Sequence, residues 1–111
     1  MPETPLQLHC DRDEHVLSLT LKARVLGPDG ARALTDAIDE ACGCTAPPDV
    51  VQVDLAGVAL MTSAAIGAMI VLHKRLAMNK QHLELIGLAP AVLDAFEFLK
   101  LDRVLTISAA N

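Results

Sequence analysis

The chain has no Trp, no Tyr and only two Phe among its 111 residues. A core without aromatic anchors has to be filled by Leu, Val, Ile, Ala and Met, and a hydrophobic share of 52% with a mean hydropathy of +0.40 supplies them. With no rings to stack bases and no basic stripe beyond His73-Lys74-Arg75, direct nucleic-acid binding is disfavoured. A net charge of −5 and a pI near 5.1 disfavour an anionic membrane surface as well. Long apolar runs are also missing, because His73-Lys74-Arg75 interrupts the most hydrophobic segment well short of a membrane span. Met1-Pro2-Glu3-Thr4-Pro5 has neither the basic start nor the apolar middle of a signal peptide, which predicts a soluble, cytoplasmic protein. Cys10, Cys42 and Cys44 are odd in number, and Cys42-Gly43-Cys44 lacks the two-residue spacing of redox or zinc pairs, so free thiols are expected. No paired acid and base, no Gly-rich phosphate loop after a strand and no metal-ligand set is visible, and neither enzymatic activity nor a cofactor is expected. The length predicts one domain over residues 1–111, with its core from about 6 to 107.

What is present is organised around Val50–Leu76. Val50, Val51 and Val53 follow the breakers Pro47 and Pro48 and predict a short strand buried on both faces, ended by Asp54. After a loop centred on Gly57, Thr62 and Ser63 stand directly before Ala64-Ala65-Ile66-Gly67-Ala68-Met69-Ile70. Short hydroxyl side chains there cap the free N–H groups of a helix, so a helix starts at or next to Ser63. A helix N-terminus favours an attached anion, and a phosphate on Ser63 would be stabilised there. A plain capping role for the hydroxyls explains the same residues.

Taken in order, Leu6-Gln7-Leu8 and His15–Leu21 alternate apolar with polar and predict a hairpin across the charged turn Asp11-Arg12-Asp13-Glu14. His9 and His15 flank that turn as solvated side chains. A helix over Ala31–Ala41, opened by Asp29 or Gly30 and ended by Gly43, places Leu34, Ile38 and Ala41 on one stripe. Arg32, Asp36, Asp39 and Glu40 fall largely elsewhere, as a solvated face. The central helix runs from about Ser63 to Met78 or Asn79, its first half apolar on nearly every side and therefore expected between the sheet and a second layer. The small residues Ala64, Ala65, Gly67 and Ala68 either let it lie close to the sheet or leave a shallow docking surface, which also makes self-association possible. Leu83–Gly87 reads as a strand parallel to the central one, reached by a turn at Asn79–Gln81. Leu88-Ala89-Pro90 opens a last helix with Val92, Leu93, Phe96 and Leu99 on one face, and Val104–Ile107 closes the sheet, leaving Ser108–Asn111 as a frayed end.

The order strand, strand, helix, strand, helix, strand, helix, strand resembles the STAS domain of anti-sigma factor antagonists and of sulphate-transporter tails. The resemblance spans about Leu6 to Ile107 and is most specific over Val51–Gly67, which looks like the family's strand, Asp-Leu-Ser/Ala-Gly-Val turn and Asp-Ser-Ser/Thr-Gly-Leu-Gly helix start. It implies an α/β, STAS-like (SpoIIAA-like) mixed β-sheet of four to five strands flanked by three to four helices. It also implies a partner: a kinase-type anti-sigma factor, which phosphorylates the Ser after the motif's Asp. By position that acceptor is Ser63, with Thr62 second, and the partner-binding residues are Asp54, Gly57, Met61, Thr62, Ser63, Ala64, Ala65 and Gly67. Thr62 stands where the motif has Asp, Ala64 where it has a second hydroxyl, Ala65 where it has Gly, and Leu26 about where many relatives have Asp. The resemblance therefore implies either a regulator switched at Ser63, as a monomer or weak dimer, or a constitutive STAS binding subunit, such as a stressosome-like scaffold or an accessory subunit of a lipid ABC transporter.

Overall fold

The structure is a computed structural model, and it describes residues 7–13, 15–42, 48–103 and 105–109. Expectations for Met1–Leu6, Glu14, Gly43–Pro47 (with Cys44), Val104, Ala110 and Asn111 lie outside those residues. The elements are β1 (Gln7–Arg12), β2 (Val16–Lys22), β3 (Val25–Leu26), α1 (Pro28–Cys42), β4 (Val50–Asp54), β5 (Leu60–Met61), α2 (Ser63–Met78), β6 (His82–Leu88), α3 (Pro90–Phe98) and β7 (Thr106–Ala109), with a 3₁₀ turn at Leu101–Arg103. Five strands form one sheet in the order β1-β2-β4-β6-β7, and β3 and β5 form a separate pair. β1 is antiparallel to β2, whereas β2, β4, β6 and β7 run parallel. The mixed sheet and its helices match the expected architecture.

The hairpin forms, but β1 continues through Asp11 and Arg12, which the sequence assigned to the turn. Asp13 does the turning. Its carboxylate accepts the N–H groups of His15 (2.9 Å) and Val16 (3.1 Å), and its own N–H donates to the Val16 carbonyl. Those two backbone donors hold the Asp13 carboxyl below its ordinary value. His15 is exposed and meets the Asp49 carboxylate at 3.1 Å.

Leu17, Leu19, Leu21, Val51, Val53, Leu83, Leu85 and Leu88 line one face of the sheet and are buried. α1 lays Leu34 and Ile38 on it, α2 Met69, Leu72 and Leu76, and α3 Val92 and Phe96. The opposite face is uncovered among the described residues. Ser18, Thr20, Gln52, Asp54 and Glu84 stand on it half-buried, with Gln52 Nε2 donating to Glu84 Oε1 at 3.2 Å. β4 is therefore not buried on both faces as its valines predicted, because Val51 and Val53 point to the helices while Val50, Gln52 and Asp54 point away.

A second correction follows for α2, which among the described residues has no covering layer beyond the sheet side. Ala65, Ile66, Met69, Leu72 and Leu76 are buried, but Ser63, Ala64 and Val71 are exposed. Leu99 also departs from its expected face: α3 stops at Phe98, Leu99 is its C-cap, and the side chain is 52% exposed. β7 runs through Ser108 and Ala109, part of the stretch expected to fray. The Asn79–Gln81 turn is present, with Lys80 at φ 60.

Candidate functional site

β3 and β5 had no signal of their own, since two residues cannot display an alternation. They pair in parallel with Val25 opposite Leu60 and Leu26 opposite Met61. The Thr62 N–H extends this ladder by donating to the Leu26 carbonyl at 3.0 Å. Two residues beyond the paired Leu26 and Met61, α1 starts at Pro28 and α2 at Ser63, so the two helix N-termini leave the same short ladder side by side. Leu26 is fully buried there. It is a core anchor rather than a substitute for a loop carboxylate, and an Asp in its place would be buried.

At the start of α2 the two hydroxyls divide the work. Thr62 is the N-cap: its Oγ1 accepts the Ala65 N–H at 3.2 Å and its carbonyl accepts the Ile66 N–H at 3.0 Å. Its side chain is half-buried. Ser63 is the first helical residue, exposed, and its hydroxyl has no hydrogen-bond partner among the described residues. Ala64 beside it is exposed, and no acid stands in the first turn. The positive end of the helix dipole is thus left without a neutralising side chain on its own helix.

The other expected site residues separate into three groups. Met61 is 8% and Ala65 0% exposed; they face the core and shape the surface from beneath instead of offering side chains to a partner. Gly67 is half-buried on α2 with nothing within 4 Å of where a Cβ would stand, so the helix has a shallow notch one turn beyond Ser63. Asp54 ends β4, and Gly57 lies in the connection from β4 to β5. Asp54 Oδ1 accepts the Ala56 N–H at 2.9 Å, and a Cβ on Gly87, whose φ is +69°, would come within 2.8 Å of it. Gly57 is exposed in the turn, where a Cβ would lie 3.1 Å from the Leu21 carbonyl. Both organise the loop that delivers β5 to the site.

Reasoning from sequence missed two exposed apolar neighbours. Leu60 is 45% and Val71 57% exposed, and Val71 follows Ala64 by two helical turns and Gly67 by one. Ala64, Gly67 and Val71 therefore form one uncharged stripe of small or apolar residues along α2, and Leu60 is exposed on β5, the strand that leads into the helix. The signal for Val71 was its position in the helical stripe of Ala64 and Gly67. Charge returns only further on, at Lys74 and Arg75, where Arg75 donates to Asp39 of α1 at 2.7 Å. Among the described residues no group of three or more His, Cys, Asp or Glu could hold a metal ion, and no helix is long and apolar enough to cross a membrane.

The architecture is that of anti-sigma factor antagonist domains. An anti-sigma factor antagonist from Mycobacterium paratuberculosis superposes with a TM-score of 0.78 at 15% identity, over 94% of this chain and 86% of the other. An anti-sigma-factor antagonist (STAS) domain protein from Planctomyces limnophilus gives 0.77 at 16% identity, over 94% and 91%. The Bacillus cell fate determinant SpoIIAA in its phosphorylated form gives 0.68 at 16% identity, over 93% and 90%. No protein of curated function matches the chain in sequence. The chain belongs to the STAS family: residues 8–107 match the family model described as "Mlab, STAS domain".

Proposed function

We propose that the protein is a STAS-type regulator that docks on a kinase-type anti-sigma factor through the N-terminal end of α2, with Ser63 as the switch. The observation that carries this reading is the exposed Ser63 hydroxyl, without a partner among the described residues, on the first turn of a helix whose outer side is small and uncharged. A phosphate there brings roughly −1.5 to −2 charge. The helix end stabilises it locally, while the same charge disrupts an apolar contact with a partner. Thr62 is the poorer acceptor because its oxygen already holds the Ala65 N–H. The test is incubation with the kinase-type anti-sigma factor and ATP, followed by mapping of phosphate by mass spectrometry. Phosphate at Ser63, lost in Ser63→Ala and accompanied by release of the partner, supports the switch.

A second reading, a constitutive binding subunit on the ATPase of a lipid ABC transporter, uses the same surface without modification. It is favoured by Thr62 in place of the motif's Asp, since Thr62 serves as a cap and adds no charge beside Ser63. Absence of phosphate, together with equal binding by Ser63→Asp and Ser63→Ala, decides for this reading.

A further inference from the structure

β1 is an outer strand of the five-stranded sheet, and among the described residues no strand pairs with its far side. An open edge is a template for another strand, and its charged side chains ordinarily discourage that pairing. Here they are arranged to favour one partner. The strand reads Leu8-His9-Cys10-Asp11-Arg12, and His9, Cys10 and Asp11 are exposed. Antiparallel pairing with an identical strand about a two-fold axis at Cys10 sets His9 opposite Asp11 of the second copy, twice. It also lays each Leu8 beside the stem of an Arg12. His9 and Asp11 are cross-strand from Thr20 and Ser18, so both stand on the uncovered face of the sheet, where the new pairs would meet. Sliding the register by one residue sets Leu8 against Asp11, or His9 against Arg12, and the match is lost.

We infer that the β1 edge is a self-association surface, on which a second copy of this chain adds antiparallel through the Cys10-centred register to give one continuous ten-stranded sheet. Pairing of one six-residue edge buries an area at the small end of protein interfaces, so the dimer is weak and concentration-dependent. The register also supplies its own reporter. Directly opposed residues have Cα atoms about 4.5–5.5 Å apart, inside the roughly 4.4–6.8 Å span of a disulfide.

The experiment uses the full chain carrying Cys42→Ser and Cys44→Ser, so that Cys10 is the remaining thiol. Sedimentation equilibrium over a range of concentrations is run beside treatment with diamide, which takes two electrons and two protons from the opposed thiols as the S–S bond forms. The expected result is a reversible monomer–dimer equilibrium and a covalent dimer through Cys10. Asp11→Lys should weaken association by about 2- to 30-fold, the effect of two lost cross-strand pairs. The exchange His9→Asp with Asp11→His should restore it, because the complementarity is kept. A monomer at every concentration with no trapped dimer overturns the inference. So does a dimer indifferent to Asp11→Lys, or one abolished by Val71→Asp on α2.

Discussion

α1 and α2 leave the same two-residue ladder in register, yet their first turns differ. α1 opens with Pro28 and carries Asp29, a fixed negative charge at the positive end of its dipole. α2 opens with Thr62 as a side-chain cap and carries no acid, only the exposed Ser63 hydroxyl and Ala64. One helix start is electrostatically complete; the other has a place where charge can be added. The fold holds the two in one geometry, and the side chains of a single turn make their electrostatics differ.

Disrupting the core at Leu26, the β3 residue of the ladder from which both helices leave, is the most severe way to break this comparison. Leu26→Asp puts an unpaired carboxylate at a fully buried position and should cost about 4 kcal/mol or more, read by urea denaturation. Should that variant fail to fold, Leu26→Ala should show a loss of about 2–5 kcal/mol. A cost under about 1 kcal/mol for either would contradict the role of the Leu26 side chain in the core beneath the β3–β5 ladder.

Thr62→Ala acts on α2 alone. Loss of its cap should lower stability by about 1 kcal/mol and leave the Ser63 hydroxyl in place. Ser63→Asp sharpens the contrast in the opposite direction by giving α2 the acid that α1 already has. It should raise stability by about 0.3–1 kcal/mol at low ionic strength, an increment that fades as salt is added. An unchanged or lowered melting temperature would mean that the α2 dipole is already neutralised.

The smallest effect lies at the other end of the sheet, where Asp13 holds the hairpin turn. Two backbone N–H groups keep its folded-state carboxyl below the unfolded value. Its contribution is therefore complete above the ordinary carboxylate range and disappears as pH falls through the lower folded value. Wild type and Asp13→Ala should differ slightly at neutral pH and converge in acid; a gap that widens on acidification would reverse the sign.

Much of the fold was legible because each element buries one clear stripe. Leu17, Leu19 and Leu21 alternate with polar residues, Leu34 and Ile38 lie one helical turn apart, and Thr62 marks the start of α2. The one-sidedness of the sheet was harder to see, since Val50, Val51 and Val53 read as a continuous apolar run. The clue was Gln52 with Asp54, two polar residues on a common face. β3 and β5 were invisible because their pairing depends on the tertiary approach of Val25 to Leu60, 35 positions away. At the site, sequence located the hydroxyl pair but gave no sign that Met61 and Ala65 face inward or that Leu60 faces out; for Val71 the helical spacing from Ala64 and Gly67 was the one available sign. That division is set by where α2 rests on the sheet.

The most direct measurement is the affinity of the kinase-type anti-sigma factor, or of the transporter ATPase under the second reading, for Ala64→Arg and for Asp36→Lys on the exposed side of α1. Both positions are solvent-facing, so both variants should melt like wild type. The expected result is binding weakened about tenfold or more by Ala64→Arg and unchanged by Asp36→Lys. Wild-type affinity in a well-folded Ala64→Arg protein would contradict docking through the start of α2.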